Sequence, residues 1–190
     1  MDKPRFLEGS ISHTSADRGT ATHLFMQFCD FKRAAEKGVD EEIDRLVSCR
    51  YITREIAELI YRDKVTEFFE GELFTEICAS DEVLREKRFN VRLPAHQFTE
   101  SPDRKESLSS ETVLVQGVVD CLITNKDGSL TLVDYKTDYL PDDSERSIDI
   151  LRERYTDQLS YYRAAVEKLT GKEVKKTIIY SFSLGKTVNI

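Results

Sequence analysis

The run TVLVQGVVDCLITNKDGSLTLVDYKTD, Thr112 to Asp138, holds two strand-like apolar segments divided by Asn125, Lys126, Asp127 and Gly128. A three-residue loop over Lys126, Asp127 and Gly128, with Gly128 in the left-handed conformation, places Asp120 directly opposite Asp134. Their Cβ atoms are then about 5 Å apart on one face. Side chains alternate along a strand, so Leu130, Leu132, Asp134 and Lys136 share that face, the last two roughly 7 Å apart. Val118 and Leu122 lie beside Asp120 in the same way. Two carboxylates pressed together among apolar neighbours are costly unless a cation joins them. Oxygen ligands at this density suit Mg²⁺ or Mn²⁺. Lys136 on the same face is placed to orient an attacking water or to stabilise charge building on a phosphate. The plainer alternative makes Asp134 and Lys136 a solvated strand-end ion pair, but it must also explain an aspartate inside LVQGVVDCLI.

Outward from this hairpin, EVLREKRFNVRL predicts a preceding strand up to Pro94, and PDRKESLSS a polar loop, so the middle of the chain reads as an antiparallel meander. A helical pattern from Ser147 to Thr170 ends at Gly171, and VKKTIIYSFSLGKTVNI supplies a strong strand with a short hairpin partner. The first eighty residues are helical in texture. DRGTATHLFMQFCDFKRAAEKG is predicted to close on Gly38, with Leu24, Phe28 and Phe31 at helical spacing; TREIAELIYRDKVTEFFEG is predicted to be capped by Thr53 and closed by Gly71, burying Ile56, Ile60, Val65 and Phe68. Strand, helix, strand at the end implies a crossover, hence an α/β fold with a central mixed sheet flanked by helices. One domain is expected over residues 1–190, mainly helical over 1–80, with the sheet and its long helix over 81–190.

The chain has 190 residues, 39% hydrophobic and 33% charged, with neither a secretory h-region nor a membrane-length apolar run, which makes the cytoplasm the expected compartment. A formal charge of -7 argues against a surface that coats itself in nucleic acid, so any contact with phosphates must be local. Cys29, Cys49, Cys78 and Cys121 form no CxxC pair, and Cys121 points away from Asp120. No iron-sulfur cluster is therefore expected.

Further candidates are scattered. His23 lies in a helical apolar pattern with Gln27 one turn on, as a ligand or as a core histidine; Glu86 in REKRF either lines the site or faces solvent; Gln158 and Tyr162 share a helix face, as site residues or as packing. Taken together, RGTATH (18–23), REKRF (85–89), QGVVD (116–120), VDYKTD (133–138) and YTDQLSYY (155–162) resemble the ordered motifs of RecB-type nucleases in the PD-(D/E)XK superfamily. They are similar in particular to the carboxy-terminal nuclease domains of AddA proteins from bacterial AddAB helicase-nucleases, from KPRFL through SLGKTVNI.

The resemblance implies that Asp120 and Asp134 bind metal, with His23 and the Tyr135 carbonyl completing the ligand set, and that Lys136 is the catalytic lysine. Gln158 and Tyr162 fall in the family's accessory helix motif, and Glu86 at its acidic strand position, although Lys87 and Arg88 replace the usual apolar residue and proline. It further implies a restriction-endonuclease-like fold and a Mg²⁺-dependent DNA exonuclease. Its single-stranded substrate would be delivered by a helicase motor during double-strand break processing and recombinational repair, with a partner in a second, AddB-like nuclease subunit. The chain carries no GxxxxGK[ST] phosphate loop, so the motor is expected elsewhere. Two other classes compete: a module of the same fold that binds DNA or a partner without cutting, and an assembly domain whose acidic surface meets a protein.

Overall fold

The computed structural model describes residues 14–99, 101–142 and 144–190; the KPRFL stretch lies outside them. Among the described residues six helices come first: α1 (Ser15–Phe28), α2 (Phe31–Lys37), α3 (Val39–Ser48), α4 (Arg54–Leu59), α5 (Arg62–Glu70) and α6 (Glu72–Ala79). Then follow β1 (Glu82–Pro94), a short α7 (Pro102–Ser107), β2 (Thr112–Thr124), β3 (Leu130–Lys136), α8 (Glu145–Thr170), β4 (Val174–Ser181) and β5 (Lys186–Asn189).

The five strands form one mixed sheet in chain order. β1, β2 and β3 are antiparallel, β3 and β4 are parallel, and β4 and β5 close as a hairpin. The parallel pair requires a crossover, and α8 supplies it. Around the β2–β3 turn the predicted register is the observed one: Thr124 faces Leu130 and Cys121 faces Val133, with Gly128 at φ +82°.

Alternation along the strands builds two cores. On one face Cys121, Ile123, Val133, Tyr135, Ile178, Tyr180 and Phe182 pack against the N-terminal helices through Phe25, Met26, Val65 and Phe68. On the other, Leu122, Leu130, Leu132 and Ile179 meet Leu151, Leu159, Ala165 and Val166 of α8. β3 is covered on both sides, as a central strand should be, so the acidic residue inside it has almost no water to solvate it.

Three expectations need correction. The first predicted helix is two, because Cys29 is extended and fully buried while the Asp30 side chain accepts the Arg33 N–H and starts α2. α1 therefore buries Ala21, Thr22, Phe25 and Met26, with Leu24 and Phe28 only partly covered. The second predicted helix also breaks: Ile60 is extended and buried, and the Tyr61 N–H is taken by Thr22 Oγ1 at 3.3 Å, so contact with α1 overrides the periodicity. The polar loop after β1 contains α7, started by Pro102 in its first turn.

Phe68 is fully buried and meets Phe31, Phe69, Phe74, Tyr135, Tyr180 and Phe182 edge-on or tilted, so it ties the helical layer to the sheet. Replacing it with Ala should cost about 3–5 kcal/mol in urea unfolding, against roughly 0.5 kcal/mol or less for Leu169→Ala, whose side chain is exposed.

Candidate active site

β2 and β3 stop pairing after Cys121 and Val133, one residue short of the two aspartates. At that point the Asp120 side chain replaces the missing ladder bond, its Oδ2 accepting the Tyr135 N–H at 2.7 Å. Asp134 is held in β3 by its parallel neighbour, facing Ile179 in register. Lys136, two residues on, turns back to place Nζ 2.6 Å from Asp134 Oδ2, an oxygen that accepts no hydrogen bond of regular geometry.

His23 reaches the same place from the opposite face of the sheet. The approach depends on Gly19: a Cβ there would lie 2.5 Å from Thr137 Oγ1, so only glycine lets α1 cross the end of β3 this closely. One turn later His23 projects in the same direction, its Nδ1 3.9 Å from Asp120 Oδ2. α1 is fixed at both ends, by the capping box of Thr14 and Asp17 and by Arg85, which donates to the carbonyls of Met26 and Cys29 at 3.1 and 2.6 Å.

The electrostatics follow from this burial. Desolvation, then the Asp134 charge, pushes the Asp120 carboxyl up to about 7, against the opposing Tyr135 N–H bond. Burial raises Asp134 too, opposed by Lys136 and His23. Burial lowers His23, opposed by Asp134 and by its hydrogen bond with the Tyr135 backbone, so the neutral imidazole is favoured.

Glu86 lies level with Asp120 across the β1–β2 ladder, between the pairs Arg85 with Cys121 and Lys87 with Val119. Its φ of +50° breaks the regular strand there, a strain of about 1–3 kcal/mol for a non-glycine residue. Burial raises its carboxyl, opposed by Arg88, and its charge acts on Asp120. Lys87 and Arg88 themselves are exposed. Gln158 donates to Tyr162 Oη at 3.2 Å, and Tyr162 meets the Phe89 ring at 5.0 Å over Gly117, where a Cβ would strike both rings at 2.8 Å. This pair therefore packs α8 onto the β1–β2 hairpin three residues from Asp120.

Two residues near the lysine escape a reading of the sequence. Tyr155 lies under Lys136, with Nζ 4.3 Å from the ring centroid, and its hydroxyl donates to Asp138, 2.9 Å from each oxygen. Arg154 joins Asp138 at 3.2 Å. A signal for the pair exists: Asp138 continues the alternation of Asp134 and Lys136, and Tyr155 precedes Gln158 by three helical residues.

Among the described residues no three His, Cys, Asp or Glu side chains form a ready-made metal-binding group; Asp120 is engaged by the Tyr135 N–H and Asp134 by Lys136. The donor chemistry nevertheless fits a hard divalent cation. A buried and a partly buried carboxylate repel each other, an Asp134 oxygen lacks a regular hydrogen bond, and the adjacent imidazole favours its neutral, ligating form.

Residues 5–187 match the PD-(D/E)XK nuclease superfamily. The whole chain is 38% identical, over 191 residues, to an ATP-dependent helicase/nuclease subunit of Clostridium botulinum strain Langeland. It is 36% identical, over 98% of its length, to the protein of the same name from Acetivibrio thermocellus. The chain spans only 14% of the length of each relative.

Because folding raises the Asp120 carboxyl, the stability this group contributes is fully present below its ordinary value of 3.8 and is lost as pH rises toward about 7. In chelator, the urea midpoint of the wild-type chain should therefore fall from about pH 5 to about pH 8 more steeply than that of Asp120→Asn. At the upper pH the variant should be the more stable by about 2–4 kcal/mol.

Proposed function

This chain belongs to the PD-(D/E)XK nuclease superfamily, and on that premise we propose that it is a metal-dependent deoxyribonuclease domain hydrolysing phosphodiester bonds of single-stranded DNA. The observation that carries the reading is the pair of carboxylates, Asp134 buried and Asp120 partly buried, with Lys136 beside them where β2 and β3 part. Nucleases of this superfamily generally use divalent metals such as Mg²⁺. Asp120, Asp134, His23 and the Tyr135 carbonyl would hold Mg²⁺ or Mn²⁺ here. A cation so held supplies Lewis acidity toward the scissile phosphate and makes nearby water a better nucleophile at neutral pH.

The chain's own residues do the rest. Lys136 is the catalytic lysine; its ammonium is braced by the Tyr155 ring and stabilises negative charge that builds on the phosphate. Asp138 holds Tyr155 through its hydroxyl, so the lysine is aimed before substrate arrives. With Asp134 among the groups that would hold the cation, the Lys136 ammonium would be free to face the substrate. Glu86 adds negative charge at the edge of the site. Gln158 and Tyr162 line the path of the strand along α8.

The relatives named as helicase/nuclease subunits support a wider context. In it the domain acts as an exonuclease on a strand fed by the helicase motor of a longer polypeptide, beside a second, AddB-like nuclease subunit, in double-strand break processing and recombinational repair in the cytoplasm. Among the described residues no helix is long and apolar enough to cross a membrane.

Asp134→Ala and Lys136→Ala should each reduce Mg²⁺-dependent cleavage of end-labelled single-stranded DNA by about a hundredfold or more, while cooperative unfolding in chelator is retained. A solvated ion pair would contribute only about 0–1 kcal/mol and leave cleavage near normal, which would sink the assignment. The chain alone should cut without ATP and should prefer single strands to blunt duplex. Equal rates on the two substrates would overturn the idea that a motor elsewhere delivers the strand.

A further inference from the structure

Beside the candidate site, on the side toward the start of α1, lies a pocket of about 210 Å³ lined by Ser15, Tyr61, Lys64, Thr137, Tyr139 and Phe182. Thr137 joins it to the site, being next to Lys136 and in contact with Gly19. Ser15, Gly19 and His23 follow one another at four-residue intervals along one face of α1, so pocket and histidine are about 12 Å apart on that helix. The floor is apolar, with Phe182 buried in the core.

At its mouth stands Tyr139, 83% exposed and without a ring partner among the described residues. Single exposed apolar residues are common and carry no argument alone. Here the flanking residues fix the backbone that carries the ring. Asp138 is bonded to Tyr155 and Arg154, and Leu140 is buried with its N–H donated to Ser183 Oγ at 3.4 Å. The segment is thus anchored on both sides of an aromatic ring that it presents to solvent.

Two basic residues stand at or near the pocket in a chain of net charge -7. Lys64 lines it, its ammonium paired with Glu67 at 2.9 Å, and the exposed Arg18 lies against the Tyr61 ring, 4.2 Å from the centroid, with its Nε donating to the Leu59 carbonyl at 3.3 Å. An exposed flat ring, an apolar floor and peripheral cations next to a phosphodiester-cutting site match one occupant, a nucleotide with its base unstacked from its neighbours.

We propose that this pocket seats an unpaired base of the strand being cut, stacked on Tyr139, with its phosphate facing Lys64 and Arg18. The proposal rests on the nuclease reading for the identity of the ligand. It goes beyond that reading in giving the site a reason to take single strands, because a base held in a duplex cannot reach the ring. Stacking is tolerant of sequence, so the subsite selects strandedness and not base identity.

The test uses the 190-residue chain in chelator, where binding is read without cleavage, and a single-stranded oligonucleotide carrying 2-aminopurine. The wild-type chain should quench the fluorescent base on binding. Tyr139→Ala should abolish the quench and weaken binding about fivefold to a hundredfold, Tyr139→Phe should restore both, and Tyr51→Ala, at an exposed tyrosine elsewhere, should change neither. Unchanged affinity and quench in Tyr139→Ala overturn the proposal, as does a wild-type chain that fails to bind. Equal loss in Tyr139→Phe replaces stacking with a hydroxyl contact and overturns it too. The two readings separate cleanly: a wild-type chain that quenches but never cuts with Mg²⁺ contradicts the nuclease, whereas one that cuts while Tyr139→Ala binds normally contradicts the subsite alone.

Discussion

The confinement of Asp120 and Asp134 within one buried corner is the constraint around which the rest of the structure is arranged. Two carboxylates there cost free energy in the ionised state, through lost hydration and through mutual repulsion. The chain meets that cost locally with one backbone N–H, from Tyr135, and one ammonium, from Lys136. Neither suffices to return Asp120 to the ordinary carboxylate range. An arrangement that holds charge at such expense is poor as scaffolding and well suited to gripping a cation.

The surrounding elements serve to keep that corner rigid. β4 holds β3 straight through Lys136 by parallel pairing, with Lys136 facing Ser181. α1 is pressed against the end of β3 through Gly19, and Arg85 anchors its far end. α8, which makes the crossover, carries Tyr155 under the lysine and Tyr162 onto the β1–β2 hairpin. The aromatic layer around Phe68 joins the helices to the sheet.

Much of this is legible in the sequence because it is local. The hairpin register follows from alternation and one left-handed glycine, which together set the pairing up to Cys121 and Val133, one residue short of the two aspartates. The end of α8 at Gly171 and the crossover to β4 are legible for the same reason. The breaks after Phe28 and Leu59 are not, since Cys29 and Ile60 continue a helical pattern and only burial against other elements makes them extended. His23 is legible in the helical pattern only as a ligand or a core histidine, and the family resemblance chooses the ligand; its approach depends on a contact between Gly19 and Thr137 that no periodicity encodes. The brace of Asp138 and Tyr155 joins two motifs that are recognisable only separately, and the positive φ at Glu86 is strain that strand propensity cannot reveal.

That Asp120 and Asp134 form a cation site completed by His23 is tested most directly by anomalous diffraction from crystals of the chain soaked in Mn²⁺. One strong peak is expected within ligand distance of both carboxylates and the imidazole, with Lys136 displaced from Asp134. A peak elsewhere, or none while Lys136 keeps its bond to Asp134, would contradict the assignment.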